Sequence, residues 1–182
     1  AVKAYFDDMR SYIKNDLGCD ALVTGTIVFG PLGLYAQSDM DFIDSHSYWQ
    51  HPAFPGTPWD PANWYIQQKP MTDFINEATL FGLAGCRLGK STNYAGKPFT
   101  VSEYSHPAPL DSQADCVPML ASFAAAQDWD GIWFFDYTGS ASDWNNNSFN
   151  GYFSILHNPA KWGFFTAGAN MFRFGGIGPL GN

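Results

Sequence analysis

Four short runs rich in apolar residues alternate with longer segments of helical pattern or loop. They are ALVTGTIVFG at 21–30, DFIDSH at 41–46, PFTVSE at 98–103 and GIWFFDYTG at 131–139. This alternation constrains the fold more than any other feature. Strand, then helix, then strand implies parallel strands joined by crossovers. Short apolar strands suit a sheet covered on both faces. Residues 4–16 place Tyr5, Met9, Tyr12 and Ile13 on one helical face, with Gly18 as a stop. Further helices are expected over 72–86 behind Thr72, from Asp111 or Ser112 to about Gln127, and over 159–174. A loop with five prolines fills 47–70. The 182 residues form one domain, 1–182, with the glycine-rich 175–182 as a peripheral tail. Two α/β architectures fit: an open doubly wound sheet, and a (β/α)8 barrel or part of one. No G-x-G-x-x-G follows a strand and there is no P-loop, so nucleotide binding loses ground.

Charge narrows the partners. The net charge is −8, and the nine Lys plus Arg are scattered. That argues against a nucleic-acid surface. No run of eighteen apolar residues exists, so no membrane span is expected. No signal peptide is visible, and the opening AVKAYFDDMR, already helical in pattern, reads as an interior start. The three cysteines, Cys19, Cys86 and Cys116, form no C-x-x-C and allow at most one disulfide; buried thiols are expected. His46, His51 and His106 match no metal-ligand spacing, so no metal is expected.

In parallel α/β folds chemistry sits at the carboxyl ends of strands. The first run ends at Thr24 and Thr26. The second leads to Asp44, His46, Tyr48 and Trp49, the third to Glu103, Tyr104 and His106. The fourth leads to Asp136 and Tyr137, with Asp143 and Trp144 further along. One carboxylate per end on three consecutive strands, interleaved with His and aromatics, reads as a cleft with acid/base capacity. Glu103 is one of only two glutamates, and Lys97 lies at the opposite end of its strand. A functional carboxylate is therefore favoured over a salt-bridged one. Asp44 either orients a neighbouring His or bonds the backbone. Asp128 and Asp130 precede the fourth strand and read as structural. Aromatics make up 18% of the chain, and Tyr48, Trp49, Trp59, Trp64 and Tyr65 crowd one polar, proline-rich stretch. Such loops either pack locally or stack on sugar rings; Trp49, Trp59, Trp133 and Trp144 are the stacking candidates, Trp133 equally a core candidate.

FTVSEYSHPAP resembles the seventh strand of the clan A retaining glycoside hydrolases, which are (β/α)8 barrels. DFIDSHSYWQHPAFPG resembles their sixth strand, QDWDGIWFFDYTG their eighth, and HNPAKWGFFTAGANMFRFG the helix that closes such barrels. The resemblance covers nearly the whole chain, from strand five (ALVTGT) through helix eight; only the Glu103 motif is specific. It implies a carboxyl-terminal half barrel, cofactor-free hydrolysis of β-linked glycans, and Glu103 as the nucleophile. It also implies a sugar site shaped by His46, Tyr48, Trp49, Tyr104, His106, Tyr137 and Trp144. The family's acid/base is a strand-four Glu after Asn, and the one Asn76-Glu77 pair falls inside an expected helix.

Retaining hydrolysis needs two carboxyl groups about 5–5.5 Å apart. A half barrel also exposes two strand edges, which invite pairing. Three readings follow. In the first, two copies complete a barrel with C2 symmetry, putting Asp136 of one across from Glu103 of the other as acid/base, with Tyr137 as the alternative. In the second, a complementary chain supplies the missing half. Or the chain binds oligo- or polysaccharide without cutting it. A polysaccharide partner implies an extracellular or periplasmic setting.

Overall fold

The computed structural model describes residues 1–25, 31–74, 96–148 and 151–180. Three strands form one open parallel sheet in the order β1 (Ile43–Tyr48), β2 (Phe99–Ser105), β3 (Gly131–Phe134). Around it lie α1 (Val2–Ser11), which continues as a π turn over Tyr12–Asp16, and α2 (Pro31–Ala36). Later come α3 (Cys116–Ala126), the short α4 (Pro159–Trp162) and α5 (Phe165–Phe172). The chain is thus mixed α/β with parallel strands, as the alternation requires. Among the described residues no helix is long and apolar enough to cross a membrane.

β1 and β2 lie one or two residues beyond their expected places, and β3 starts where expected but ends at Phe134. The first expected strand differs. Residues 21–25 form no strand, and 26–30, with Thr26, lie outside the described residues. The reason is local: the Val23 N–H donates to Asp41 Oδ2 at 2.8 Å, and the Val23 carbonyl accepts from the Asp41 N–H. Most of the helix expected over 72–86 also lies outside the described residues; 71–74 is a turn. The helix expected over 159–174 is broken between α4 and α5, at Gly163 and Phe164.

One face of the sheet makes the core. Ile43, Phe99, Val101 and Tyr104 pack with Leu110, Leu120, Met71 and Trp129. Helix α3 is apolar nearly all round because it lies between this face and α5. The α3–α5 crossing is tight: a Cβ at Gly168 would meet Val117 Cγ1 at 2.6 Å, so only glycine fits. The outer edge of β1 is closed by a side chain. Buried Gln37 accepts from the Asp44 N–H and donates to the Asp44 carbonyl, both at 3.0 Å, as a neighbouring strand would. Thr24 Oγ1 lies 2.9 Å from both Gln37 Oε1 and the Phe42 carbonyl, so Thr24 serves this edge rather than a site.

The register between strands shifts once, after Ser45 on β1 and after Val101 on β2. This is a bulge at Ser102–Glu103, one extra residue on β2. A bulge re-aims the side chains that follow it. Without it Glu103 would continue the core face of Phe99 and Val101. With it, Tyr104 continues the core, and Ser102 and Glu103 both turn to the other face.

Candidate functional site

On that other face, alternation along β1 aligns Asp44, His46 and Tyr48. The bulge on β2 brings Thr100, Ser102 and Glu103 opposite them. Asp44 accepts from Thr100 Oγ1 on Oδ1 and from Ser102 Oγ on Oδ2, the latter at 2.5 Å. Ser102 Oγ lies 2.7 Å from His46 Nε2. His46 Nδ1 lies 3.1 Å from Glu103 Oε2, and the Tyr48 hydroxyl donates to the same oxygen. Asp44 therefore orients His46 through Ser102 rather than bonding the backbone. The Glu103 side chain is 33% exposed, whereas those of His46 and Asp44 are buried. Glu103 is thus the carboxylate of the set that meets solvent, beside the exposed Ser102, with one oxygen held and Oε1 unbonded among the described residues. Burial pushes the Tyr48 phenol well above its ordinary value, with the bond to Glu103 next and the charges of Glu103 and Asp136 adding. Tyr48 stays a donor.

Aromatic rings extend outward from Tyr48. Tyr48 touches Phe153 (centroids 5.0 Å), His51 and Phe135 (both 6.1 Å). His51 leads to Trp59 at 5.9 Å, and Trp59 is exposed. After β3, Tyr137 contacts Trp144 at 5.5 Å and Trp162 at 6.2 Å, all three exposed. Tyr137, Trp144 and Trp59 are thus available to a ligand, as expected.

Besides buried His46, three expected site residues are not. Trp49 is buried, and its indole N–H donates to the Lys69 carbonyl at 2.8 Å. Tyr104 is buried, since the bulge sends it to the core, and its hydroxyl lies 3.0 Å from His106 Nε2. His106 is buried as well, and burial holds it down to about 3, aided by the Lys161 charge. None of the three reaches a ligand in this structure. Trp133 is exposed but lines a groove of about 460 Å³ with Trp129, Asp130, Phe172 and Arg173, at the amino end of β3. Asp130 accepts from the Phe99 N–H at 2.7 Å, a structural role as expected. Asp143 is buried and ties its loop through Thr138 and Asn146. Cys116 is a buried thiol, but Cys19 is exposed; Cys86 lies outside the described residues, as do Asn76 and Glu77.

Asp136 follows β3. It accepts from Ser154 Oγ at 3.3 Å, and its charge reaches both Tyr48 and Lys161. Lys161, on α4, is buried and donates to Ser105 Oγ at 3.0 Å and to the Phe153 carbonyl at 2.8 Å. Sequence reasoning missed Ser102, Phe135, Phe153, Lys161 and Trp162. Alternation along β2 carries no sign of the bulge, and a lysine within an expected helix reads as solvated.

Searches against family models, curated proteins and solved structures find no match. What stands out among the described residues is an open three-stranded parallel sheet with a partly exposed glutamate near the carboxyl end of its middle strand.

Proposed function

We propose that this chain carries the nucleophile side of a retaining hydrolase of β-linked glycans. The observation that supports it most is the seating of Glu103. Oε2 is fixed by Tyr48 and faced by His46, and Oε1 is left for an incoming atom. In this reading Oε1 attacks the anomeric carbon as the bond to the leaving oxygen breaks. An acid protonates that oxygen, and water later displaces the sugar from Glu103. Trp59 on one loop, and Tyr137 and Trp144 on another, offer faces on which sugar rings stack. The chemistry needs no cofactor. The three parallel strands would be part of a (β/α)8 barrel, completed by a second copy or by a complementary chain. Asp136 is then the candidate acid/base, and an extracellular or periplasmic setting suits a polysaccharide substrate.

A second reading, glycan binding without hydrolysis, is favoured by one detail. Asp136 Oδ1 already accepts from Ser154 Oγ at 3.3 Å, so one of its oxygens is engaged within the chain. The two readings separate in one experiment. Wild type and Glu103→Ala are assayed on a panel of aryl β-glycosides and soluble β-glycans, with mass by light scattering on the same samples. The hydrolase reading expects turnover by an oligomeric wild type and a loss on the order of 10³-fold or more in the variant. A folded wild type that binds glycans but never cuts them overturns it in favour of the binding reading. Equal turnover by both proteins rejects Glu103 as nucleophile.

A further inference from the structure

We propose that a linear β-glycan is bound by its interior, crossing Glu103 with one sugar ring on Trp59 and another on the patch of Trp144 and Trp162. The inference rests on the glycan reading above and adds the length and placement of the ligand. It starts from strand order. β2 stands between β1 and β3, so the loops that follow β1 and β3 leave the sheet on opposite sides of Glu103. Adjacent strands are about 4.8 Å apart, so the two loops start roughly 10 Å apart. Trp59 belongs to the first loop and Trp144 to the second. Trp162, on α4, joins the second side through Tyr137, which touches both tryptophans. Trp59 stands two ring contacts out from Tyr48, by way of His51. A sugar at Glu103 is therefore a different ring from the one on Trp59. The patch on the far side of β2 takes a further one, and a ligand that reaches both sides is a chain whose middle lies at Glu103.

Each of these tryptophans is more than half exposed, yet each is held in place. The residue before Trp144 is buried Asp143, whose carboxylate accepts from Thr138 at 2.7 Å and from Asn146 at 3.3 Å. The residue before Trp162 is buried Lys161, which donates to Ser105 and to the Phe153 carbonyl. On this side each exposed ring thus follows a buried charge that pins the backbone beneath it. Trp59 is held differently. It keeps φ at +63°, a conformation that costs a bulky residue energy, and its ring packs 5.0 Å from Phe54. Residues 152–155 brace the two loops against each other. The Tyr152 carbonyl accepts from the Ala108 N–H, Phe153 touches Tyr48 and His51, and the Ile155 N–H donates to the Asp136 carbonyl. Rings fixed in advance lose little freedom when a ligand settles on them. A single exposed ring is ordinary, but rings held outward on both sides of one carboxylate are what an extended chain of sugars needs.

The test titrates the full 182-residue chain, carrying Glu103→Gln to prevent turnover, by calorimetry. The probes are cello-, manno-, xylo- and laminari-oligosaccharides from disaccharide to hexasaccharide. Affinity should rise with length in at least one series. In that series Trp59→Ala and Trp144→Ala should each weaken the hexasaccharide by about tenfold. The double variant should weaken it by about a hundredfold, since one ligand then loses both ends. Tyr5→Ala, which removes an exposed ring on α1, should leave affinity unchanged. Should either variant unfold, Trp59→Leu and Trp162→Ala put the same question to the two sides. An effect from one side only, or a double variant no weaker than the singles, overturns the proposal and leaves the glycan reading standing. So does a hexasaccharide bound no more tightly than a disaccharide, or an equal loss in Tyr5→Ala. No binding in any series overturns the glycan reading with it. Calorimetry needs no turnover, so binding on both sides by a chain that hydrolyses nothing refutes the hydrolase reading alone.

Discussion

Ser102 and Glu103 stand in a half-open polar cluster, and the next three residues, Tyr104, Ser105 and His106, stand in a closed one. In the open cluster the charges of Asp44 and Glu103 flank one imidazole, and Glu103 meets solvent. In the closed cluster Tyr104, Ser105, His106, Cys116 and Lys161 are all buried, with one ammonium among mostly neutral groups. Both use the same kinds of residue within five positions. What separates them is the bulge, which turns Ser102 and Glu103 one way and leaves Tyr104 on the core face. One extra backbone residue thus decides which polar groups can meet a ligand and which serve packing.

The largest test of this division compares Tyr104→Ala with Glu103→Ala in urea denaturation. Tyr104→Ala should cost about 3–5 kcal/mol, as removal of a large buried ring does. Glu103→Ala leaves Tyr48 and His46 without their shared oxygen and should cost less, about 1–3 kcal/mol, while removing any hydrolysis. A stable Tyr104→Ala, or an unfolded Glu103→Ala, would break the comparison at its root.

The closed cluster should also respond to acid in its own way. His106 is held down to about 3 by burial, then by Lys161, against an ordinary 6.5. Below pH 6.5 the unfolded chain takes up a proton that the folded chain refuses. Stability should therefore fall by about 1.4 kcal/mol per pH unit from there towards pH 3. Asp41 adds its loss lower down, between 3.8 and about 2, where its bond from Arg10 fails. His106→Gln should flatten the higher window and leave the lower one, read from urea midpoints across the acid range. A wild type with no slope above pH 4 would place His106 in contact with water.

A smaller effect probes how the open cluster is held. Gln37→Ala strands the N–H and carbonyl of Asp44, two buried groups with no other partner offered by that side chain. The expected cost is about 1–3 kcal/mol in urea denaturation. No cost would mean that water closes the β1 edge as well as Gln37 does.

Much of the open cluster was legible in the sequence. The alternation of Asp44, His46 and Tyr48 along one strand is visible in the letters, and so is a rare glutamate at a strand end. The bulge was not, because nothing in FTVSEYS marks an extra residue. Alternation alone would put Ser102 and Glu103 on opposite faces, and grouping by proximity puts Tyr104 and His106 with Glu103. Trp49 misled for another reason. Its neighbours are polar loop residues, but its partner is the carbonyl of Lys69, twenty positions away. The parallel sheet was legible from strand–helix alternation. The first expected strand was less so: of its residues, 21–25 are described and form no strand, with Val23 bonded to Asp41.

The last prediction sharpens the comparison at alkaline pH, where Lys161 reports how closed the inner cluster is. Burial holds this lysine down to about 8, against an ordinary 10.5, and the charges of Cys116 and Asp136 only partly offset it. From about pH 8 upward the folded chain releases a proton that the unfolded chain keeps until about 10.5. Stability rises with pH wherever the unfolded state binds more protons. Cys116 opposes this from higher pH. Burial pushes its thiol from 9.0 up to about 11, so above pH 9 the unfolded chain loses a proton that the folded one retains. Tyr48, also raised, opposes in the same sense at still higher pH. The net gain is therefore confined to the interval between about pH 8 and pH 9 and amounts to about 1 kcal/mol. Lys161→Met, which keeps the stem and drops the ammonium, should abolish it. A rise in wild type that vanishes in the variant means that the charge under β2 is shut away from solvent. A flat profile in both means that water reaches Lys161, and the two sides of the bulge would then differ in composition but not in closure.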